Sequence, residues 1–129
     1  MRYLPFLLLT GLSLVLMAGG AEAKEPEWNY NAGSGINSVA ISADGEYIVA
    51  GSDEDQVYLF NKDGTLLWSY TAGDGVYSVA ISSDGETIVA GSLDNNVYLF
   101  DKDSSTPLWS YGTGNRVWSV AISEDGETI

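Results

Sequence analysis

The stretch "SVAISSDGETIVAGSLDNNVYLF", Ser78 to Phe100, decides the fold, because a closely similar line, "SVAISADGEYIVAGSDEDQVYLF", already occupies Ser38 to Phe60. A third version, "SVAISEDGETI", begins at Ser119 and breaks off at Ile129. Self-similarity at a fixed spacing of about 40 residues is typical of repeat architectures, in which each unit covers its neighbour. The structure of one unit therefore predicts that of the others.

Each unit contains short runs rich in β-branched and aromatic residues, separated by Gly, Asp, Asn and Ser. In the first run of the second unit, Val79 and Ile81 alternate with small residues, which is the period-2 pattern of a strand. The Asp-Gly pair at 84–85 and the Asn-Asn pair at 95–96 are predicted to supply positive φ for hairpin turns. The strands predicted for this unit are Val76–Ser82, Thr87–Ser92, Val97–Phe100 and Leu108–Tyr111.

Four sequential antiparallel strands in about 40 residues predict one blade of an all-β propeller. Such a blade is stable only when neighbours cover it, and closed propellers typically use about four to eight blades. The chain carries two whole blades and partial ones, because a strand around 28–31 matches the fourth strand of a preceding blade. We expect a fragment of a longer propeller; the alternative is a short chain that completes its ring by oligomerising.

The first 23 residues differ in kind from the repeats. Arg2 precedes an apolar run from Phe6 to Met17, and Ala21 and Ala23 form an A-x-A pair, which together predict a secretory signal cleaved after Ala23. The mature protein is then secreted, periplasmic or held at the cell surface, and retention of the run as an uncleaved anchor is the alternative. We expect a short linker at 24–27 and propeller repeats at 28–129, divided into 28–67, 68–108 and 109–129.

Composition excludes several kinds of function. The chain has no Cys and no His, which removes disulfides, thiolate or imidazole metal sites, and Cys or His catalytic pairs. Its net charge of -13 repels phosphate backbones and anionic lipid headgroups. We therefore expect no nucleic-acid partner and no membrane contact beyond the export signal, while cations and basic partners stay open.

Two known families resemble these residues. The line "SVAISSDGETIVAGSLDNNVYLFD", Ser78 to Asp101, resembles the core of the WD repeat. It departs from that family because Phe60 and Phe100 stand where the name-giving Trp belongs and because no His precedes the first strand. The hydrogen-bond network typical of WD repeats therefore cannot form.

The line "VYLFNKDGTLLWSY", Val57 to Tyr70, resembles the pyrroloquinoline-quinone-type repeat, in which a Val-Tyr-aliphatic strand leads through Asp-x-x-Gly to a Leu-Trp-x-Tyr strand. In that family the Trp docks between adjacent blades. The resemblance therefore implies structural docking roles for Trp28, Trp68 and Trp109.

The loops that lead into each first strand and the hairpins between the second and third strands are expected on one face of the disc. Their side chains differ most between units, as a recognition face would require, although unconstrained solvent loops vary in the same way. The acidic run at 53–55 has oxygen ligands of the kind that Ca²⁺ prefers, but it lacks the Gly-punctuated spacing of a calcium loop, so solvated turn charge is the alternative. The candidate recognition residues are Asp53, Asp55, Asp74, Asp94, Asn95, Asn115 and Arg116.

These observations predict an exported, non-enzymatic propeller module that binds a protein or an extracellular ligand. Its partners also include the remaining blades of a longer chain, or further copies in a self-assembled ring. No catalytic, cofactor-binding or metal-binding residue is predicted. The alternative is part of a quinone-dependent dehydrogenase, which would need a catalytic Asp and a calcium ion on the propeller axis; no Asp in the chain stands apart from the repeats in that way.

Overall fold

The computed structural model describes residues 25–129, and this part of the chain consists of eight strands joined by turns and loops. The predicted export signal and Lys24 lie outside the described residues. Within the described range, no helix with the length and apolar character of a membrane span is present. The strands are β1 Ile36–Ile41, β2 Tyr47–Ser52, β3 Gln56–Asn61, β4 Leu66–Thr71, β5 Val76–Ile81, β6 Thr87–Ser92, β7 Asn96–Asp101 and β8 Trp109–Gly112.

The strands form two antiparallel four-stranded sheets, with the orders β1-β2-β3-β4 and β5-β6-β7-β8. Both sheets repeat the same register, since Val39 pairs with Ala50 in the first and Val79 with Ala90 in the second. Each first strand also carries a register shift at the same place, between 36 and 38 and between 76 and 78. The prediction of two four-stranded all-β blades is therefore confirmed, with strand ends that differ from the prediction by one residue at most.

The turns correct one detail of the sequence prediction. In the Asp-Gly turn only Gly85 has a positive φ, of 77°, while Asp84 holds the turn through its side chain. The Asp84 carboxylate accepts hydrogen bonds from the hydroxyl of Ser82 at 2.6 Å and from the backbone N–H of Glu86 at 3.0 Å. In the Asn-Asn turn only Asn95 has a positive φ, of 75°. Glycine and asparagine tolerate this region best, which explains why each turn places one of them there.

A shared core lies between the two sheets. Val49, Val57 and Leu59 of the first sheet are fully buried in one cluster with residues of the second sheet, such as Ile88 and Phe100. Burial of apolar surface at about 25 cal/mol per Å² makes this cluster the main favourable contribution to stability in the described chain. The two sheets therefore depend on each other for cover.

Close backbone approach and polar contacts fix how the sheets meet. A Cβ added to Gly51 would lie 2.7 Å from Cγ1 of Val76, so only glycine permits this spacing. Nearby, the Ser38 hydroxyl accepts a hydrogen bond from the N–H of Val79 at 3.1 Å. The Ala43 N–H donates to the carbonyl of Ser83, again across the junction.

After β8, the rest of the third unit docks on the second sheet without forming a strand. Residues 113–129 contain no strand, and neither does 28–31, where the sequence predicted one; that prediction is wrong. Within the described chain these segments have no adjacent sheet strand with which to form a ladder. The third unit nevertheless repeats the junction seen between the sheets, because the Val120 N–H donates to the Ser78 hydroxyl at 3.0 Å and the Ser83 N–H donates to the Glu124 carbonyl at 2.9 Å.

Candidate functional site

A tryptophan of one sheet docks on the next sheet. Trp68 lies on β4, and its indole N–H donates to the Lys102 carbonyl in the turn after β7 at 2.7 Å. Its ring packs on Phe100, with centroids 5.2 Å apart. Tyr70, two residues further along the same strand face, packs edge-on against the same Phe100 ring. This pair joins the outer strand of the first sheet to the second sheet.

The same arrangement occurs one unit earlier. Trp28 donates its indole N–H to the Lys62 carbonyl at 2.9 Å and packs on Phe60 at 5.6 Å. Tyr30 packs edge-on against Phe60 at 4.9 Å. Trp109 occupies the same position in the third unit, but 42 % of it is exposed, and no ring packs against it among residues 25–129. The three tryptophans therefore occupy equivalent positions of the repeat. Within residues 25–129, Trp28 and Trp68 each pack on a phenylalanine, whereas Trp109 does not.

The predicted recognition residues lie along one edge of the sheets, which we call the loop rim and define as residues 33–35, 53–55, 73–75, 93–95 and 113–116. The Asp53 N–H donates to the Gly35 carbonyl, and the Leu93 N–H donates to the Gly75 carbonyl, each at 2.9 Å. In each sheet, this bond places the hairpin between the second and third strands beside the loop that leads into the first strand. The Gly73 N–H, which follows β4, donates to the Asp94 carboxylate in the hairpin of the second sheet, so the rim continues from one sheet to the next.

Asp94 is the most engaged residue of the loop rim. Its carboxylate accepts hydrogen bonds from the N–H groups of Gly73 and Asn96 and from the hydroxyl of Tyr98. Burial raises the pKa of Asp94, but these hydrogen bonds outweigh burial and leave the pKa below its ordinary value. Burial and the same carboxylate raise the pKa of Tyr98 well above that of a free tyrosine. Because Gly73 follows the last strand of the first sheet, Asp94 clamps the two sheets together at the rim.

Other rim residues hold their loops through the backbone. Asp55 has a φ of 65°, and its carbonyl accepts the Ala72 N–H at 2.7 Å. The Asn95 carbonyl accepts the Thr113 N–H at 2.8 Å in the same way. The rim residues whose side chains are exposed to solvent are Asp53, Glu54, Asp74, Asn95, Thr113, Asn115 and Arg116.

Within the rim, the exposed groups differ in how firmly they are held. The Asp53 carboxylate accepts a hydrogen bond from the side-chain amide of Asn37 at 2.8 Å. The Asp74 and Asn115 side chains each accept the N–H of the next residue, which stiffens the loop but leaves their outer faces in water. The rim is therefore a partly ordered, mainly acidic surface.

An apolar groove was not predicted from the sequence. It has a volume of about 150 Å³ and lies on the face of the first sheet that points away from the second sheet. The repeat could have revealed it, because Val39 and Val79 occupy the same position of two units. The first sheet covers Val79, whereas no sheet of the described chain covers Val39. We call this surface the head groove; it is lined in the main by Trp28, Tyr30, Ile36, Val39, Ile48 and Tyr58.

The acidic run at 53–55 and the indoles of Trp28 and Trp68 are the described groups to compare with a calcium or quinone site. Among residues 25–129, no three or more acidic side chains are arranged to hold a metal ion. Within the run at 53–55, Asp53 is hydrogen-bonded to Asn37, while Glu54 lies beside Gly33. The indoles of Trp28 and Trp68 are engaged in docking. The described residues therefore do not fit a quinone cofactor with its calcium ion.

A family model described as "Outer membrane protein assembly factor BamB", of the pyrroloquinoline-quinone-type repeat, matches residues 7–128. No curated protein matches the chain. Of the two propeller resemblances in the sequence, the family match bears out the one carried by Val57 to Tyr70.

Proposed function

Because this chain belongs to the family described as outer membrane protein assembly factor BamB, we propose that it is an exported, non-enzymatic propeller module that binds a protein outside the cytoplasm. An assembly factor for outer membrane proteins acts through contacts with other proteins. The observation that carries the proposal is the loop rim, where varied side chains stand on a repeated frame.

The frame of the rim is the same in both sheets. The backbone bond between Asp53 and Gly35 recurs between Leu93 and Gly75 at the same distance. The side chains on that frame change from the acidic run at 53–55 to Leu-Asp-Asn at 93–95. Binding residues are often carried by variable loops on a rigid scaffold. The rim therefore has the organisation of a recognition surface.

Charge favours a basic protein as the partner. The exposed rim carboxylates are part of a chain whose net charge is -13. A surface of one sign attracts an oppositely charged partner and raises its association rate, and salt weakens this effect. Binding at the rim should therefore weaken as the ionic strength increases.

Three carboxylates in the Asp-Gly turns are poorly matched to acid–base catalysis. Hydrogen bonds lower the pKa of Asp44, Asp84 and Asp125, and in each case the bond from a serine hydroxyl is the largest cause. A general acid or base works best with a pKa near the working pH, and these groups are shifted away from it. Their bonds instead stabilise turns.

The test is site-specific photocrosslinking in the producing cell. A benzophenone side chain is introduced at Glu54 in the rim or, as the matched control, at Asp63 in the turn between β3 and β4 at the opposite edge; both native side chains are exposed. The proposal expects a crosslinked protein from position 54, weaker in high salt, and none from position 63. Equal products from both positions, or none from either, would contradict it.

Export is tested separately. Mass spectrometry of the chain recovered from the cell envelope or medium should give a mature N-terminus at Lys24, because the residues before it have the pattern of a cleaved signal. A full-length chain confined to the cytoplasm would overturn the exported location.

A further inference from the structure

Five Asp-Gly pairs occur in the chain, and the structure holds them in different ways. In such a pair the backbone nitrogen of the glycine is able to attack the side-chain carboxyl of the aspartate before it. Glycine obstructs this approach least, because it has no Cβ. The five aspartates are Asp44, Asp63, Asp74, Asp84 and Asp125. Because the dipeptide is the same in all five, the fold decides which of them reacts.

Three of these carboxylates are fixed by two hydrogen bonds each. The carboxylates of Asp44, Asp84 and Asp125 accept the hydroxyl of the serine two residues earlier, at 2.6, 2.6 and 2.5 Å, and the N–H of the glutamate two residues later, at 3.0 Å. These bonds, that from serine above all, lower the pKa of each group and keep it ionised. An ionised carboxylate lacks the hydroxyl that has to leave as water, so the three groups are protected.

Asp74 is held in another way. Its carboxylate accepts the N–H of Gly75 at 2.8 Å, and its backbone carbonyl accepts the hydroxyl of Ser92, also at 2.8 Å. The first bond directs the N–H at the carboxylate within the plane of the peptide group. Attack uses the electrons of the nitrogen above and below that plane. The geometry at Asp74 therefore does not align the reacting groups.

Asp63 lies in the turn between β3 and β4, where a different residue makes the stabilising bonds. The side-chain oxygen of Asn61 accepts the N–H groups of Asp63 and Thr65, at 3.0 and 2.9 Å. The Asp63 side chain is exposed, and no group among residues 25–129 donates a hydrogen bond to its carboxylate. The nitrogens of Gly64 and Gly85 are held alike, because each donates to a turn carbonyl, at 3.0 and 2.9 Å. The difference between the two turns is therefore the carboxyl.

The second unit shows that the exposure of Asp63 is a property of the turn itself. Asp103 holds the equivalent position, next to the lysine carbonyl that accepts the Trp68 indole, and its side chain is 78 % exposed. However, Asp103 pairs with Lys102 at 3.1 Å and is followed by Ser104, whose side chain hinders attack by the nitrogen. Within residues 25–129, Asp63 alone combines a carboxyl that is not held with a following glycine.

We propose that Asp63 is a modification site, at which the aspartate isomerises spontaneously to isoaspartate with water as the only co-reactant. The nitrogen of Gly64 attacks Cγ of the protonated carboxyl; an N–Cγ bond forms, and the amide hydrogen leaves with the carboxyl hydroxyl as water. Water then adds to the backbone carbonyl carbon of Asp63 in the resulting succinimide ring and breaks the bond from that carbon to the nitrogen. The chain then runs through Cγ, the former backbone carbonyl is a free carboxylate, and the mass is unchanged.

The modification should release a docking tryptophan. Gly64 has a φ of 81°, and a Cβ built there would lie 2.5 Å from the Trp28 ring, so the turn and the indole are in close contact. The neighbouring Lys62 carbonyl accepts the indole N–H at 2.9 Å. Isoaspartate adds one carbon to the backbone of this turn. The modified turn should therefore no longer fit against Trp28.

Peptide mapping of the aged full chain tests the site. The chain is incubated at about pH 5, where some Asp side chains carry a proton, both folded and in guanidinium chloride. Mass spectrometry detects isoaspartate in a peptide of unchanged mass that elutes separately and resists a protease that cuts before aspartate. In the folded chain, isoaspartate should form at position 63 at least about tenfold faster than at the other four positions, because misplaced reacting groups lower rates by such factors. In denaturant all five positions should react at similar rates.

Two outcomes of this mapping would overturn the proposal. One is a folded chain that reacts equally at all five positions or mainly at another aspartate. The other is a preference for position 63 that persists in denaturant, because local sequence and not the fold would then be its cause.

Matched variants test the role of the carboxylate bonds. Ser82→Ala removes the hydroxyl bonded to Asp84 and should accelerate isoaspartate formation at position 84 several-fold, whereas Ser83→Ala leaves that bond in place and should have no effect. Asp63→Glu keeps the charge but would have to close a larger ring, so after ageing it should keep the NMR signal of the Trp28 indole N–H that the parent chain loses. Circular dichroism before ageing would verify that the variants fold. No acceleration at position 84 in Ser82→Ala, or an equal loss of the indole signal in Asp63→Glu, would contradict the proposal.

Discussion

At the scale of single residues, the docking tryptophans combine apolar burial with one hydrogen bond. Replacing Trp68 with Ala removes the bond to the Lys102 carbonyl and the contact with Phe100. Loss of a fully buried aromatic side chain typically costs about 3–5 kcal/mol, and because Trp68 is partly buried we expect a loss near the lower end of that range in urea unfolding. Trp109→Ala is the control, because its exposed ring should cost under about 1 kcal/mol. Equal losses for both variants would contradict a docking role for Trp68.

The Asp-Gly turns give a pH dependence at the same scale. The hydrogen bond from Ser82 is the largest cause of the lowered pKa of Asp84. An Asp in the unfolded chain has a pKa of about 3.9. Because the pKa of Asp84 is lower in the folded state, its ionised form stabilises the fold at neutral pH, and this contribution is lost as the pH falls through the folded-state pKa. In Ser82→Ala the pKa of Asp84, followed by NMR, should rise toward the ordinary value. Ser83→Ala, which leaves the turn hydroxyl in place, should leave it unchanged.

At the scale of the strand, close packing between sheets depends on a glycine in β2. A Cβ at Gly51 would lie 2.7 Å from Cγ1 and 3.0 Å from the carbonyl oxygen of Val76, so Gly51→Ala should destabilise the fold by about 1–3 kcal/mol. Gly112→Ala in β8 is the control, since its nearest neighbour would be 3.6 Å away and its cost should be small. Urea unfolding measures both. If Gly51→Ala left the free energy of unfolding unchanged, the two sheets would be free to move apart at this position.

Gly91 extends the same argument to the third unit. A Cβ there would meet Val117 at 2.6 Å, but that segment is not part of a sheet and can move. Gly91→Ala should therefore speed hydrogen exchange at the Val117 amide, which donates to the Ser92 carbonyl, with little change in the unfolding midpoint. Loss of global stability equal to that of Gly51→Ala would contradict this.

The strands were predictable because their pattern recurs. The alternation around Val79 and the turn at 84–85 fix both the strand type and its ends to within a residue. The clamp from Asp94 to the Gly73 N–H was not predictable, since it depends on how the end of the first sheet meets a hairpin of the second sheet. The head groove was missed for a different reason: a sequence pattern shows that a face is apolar, but it does not show whether a neighbour covers it.

At the scale of the whole molecule, the shared core makes the two sheets one cooperative unit. Leu59 belongs to the first sheet but is fully buried in the cluster formed with Ile88 and Phe100 of the second. Leu59→Ala should therefore lower stability by about 2–5 kcal/mol, and native-state hydrogen exchange should show the same decrease in opening free energy for the amides of β2 and β6. Leu67→Ala, at an exposed position, should change neither by more than about 0.5 kcal/mol. A decrease confined to β2 would mean that each sheet folds alone, and the junction would then add contact without cooperativity.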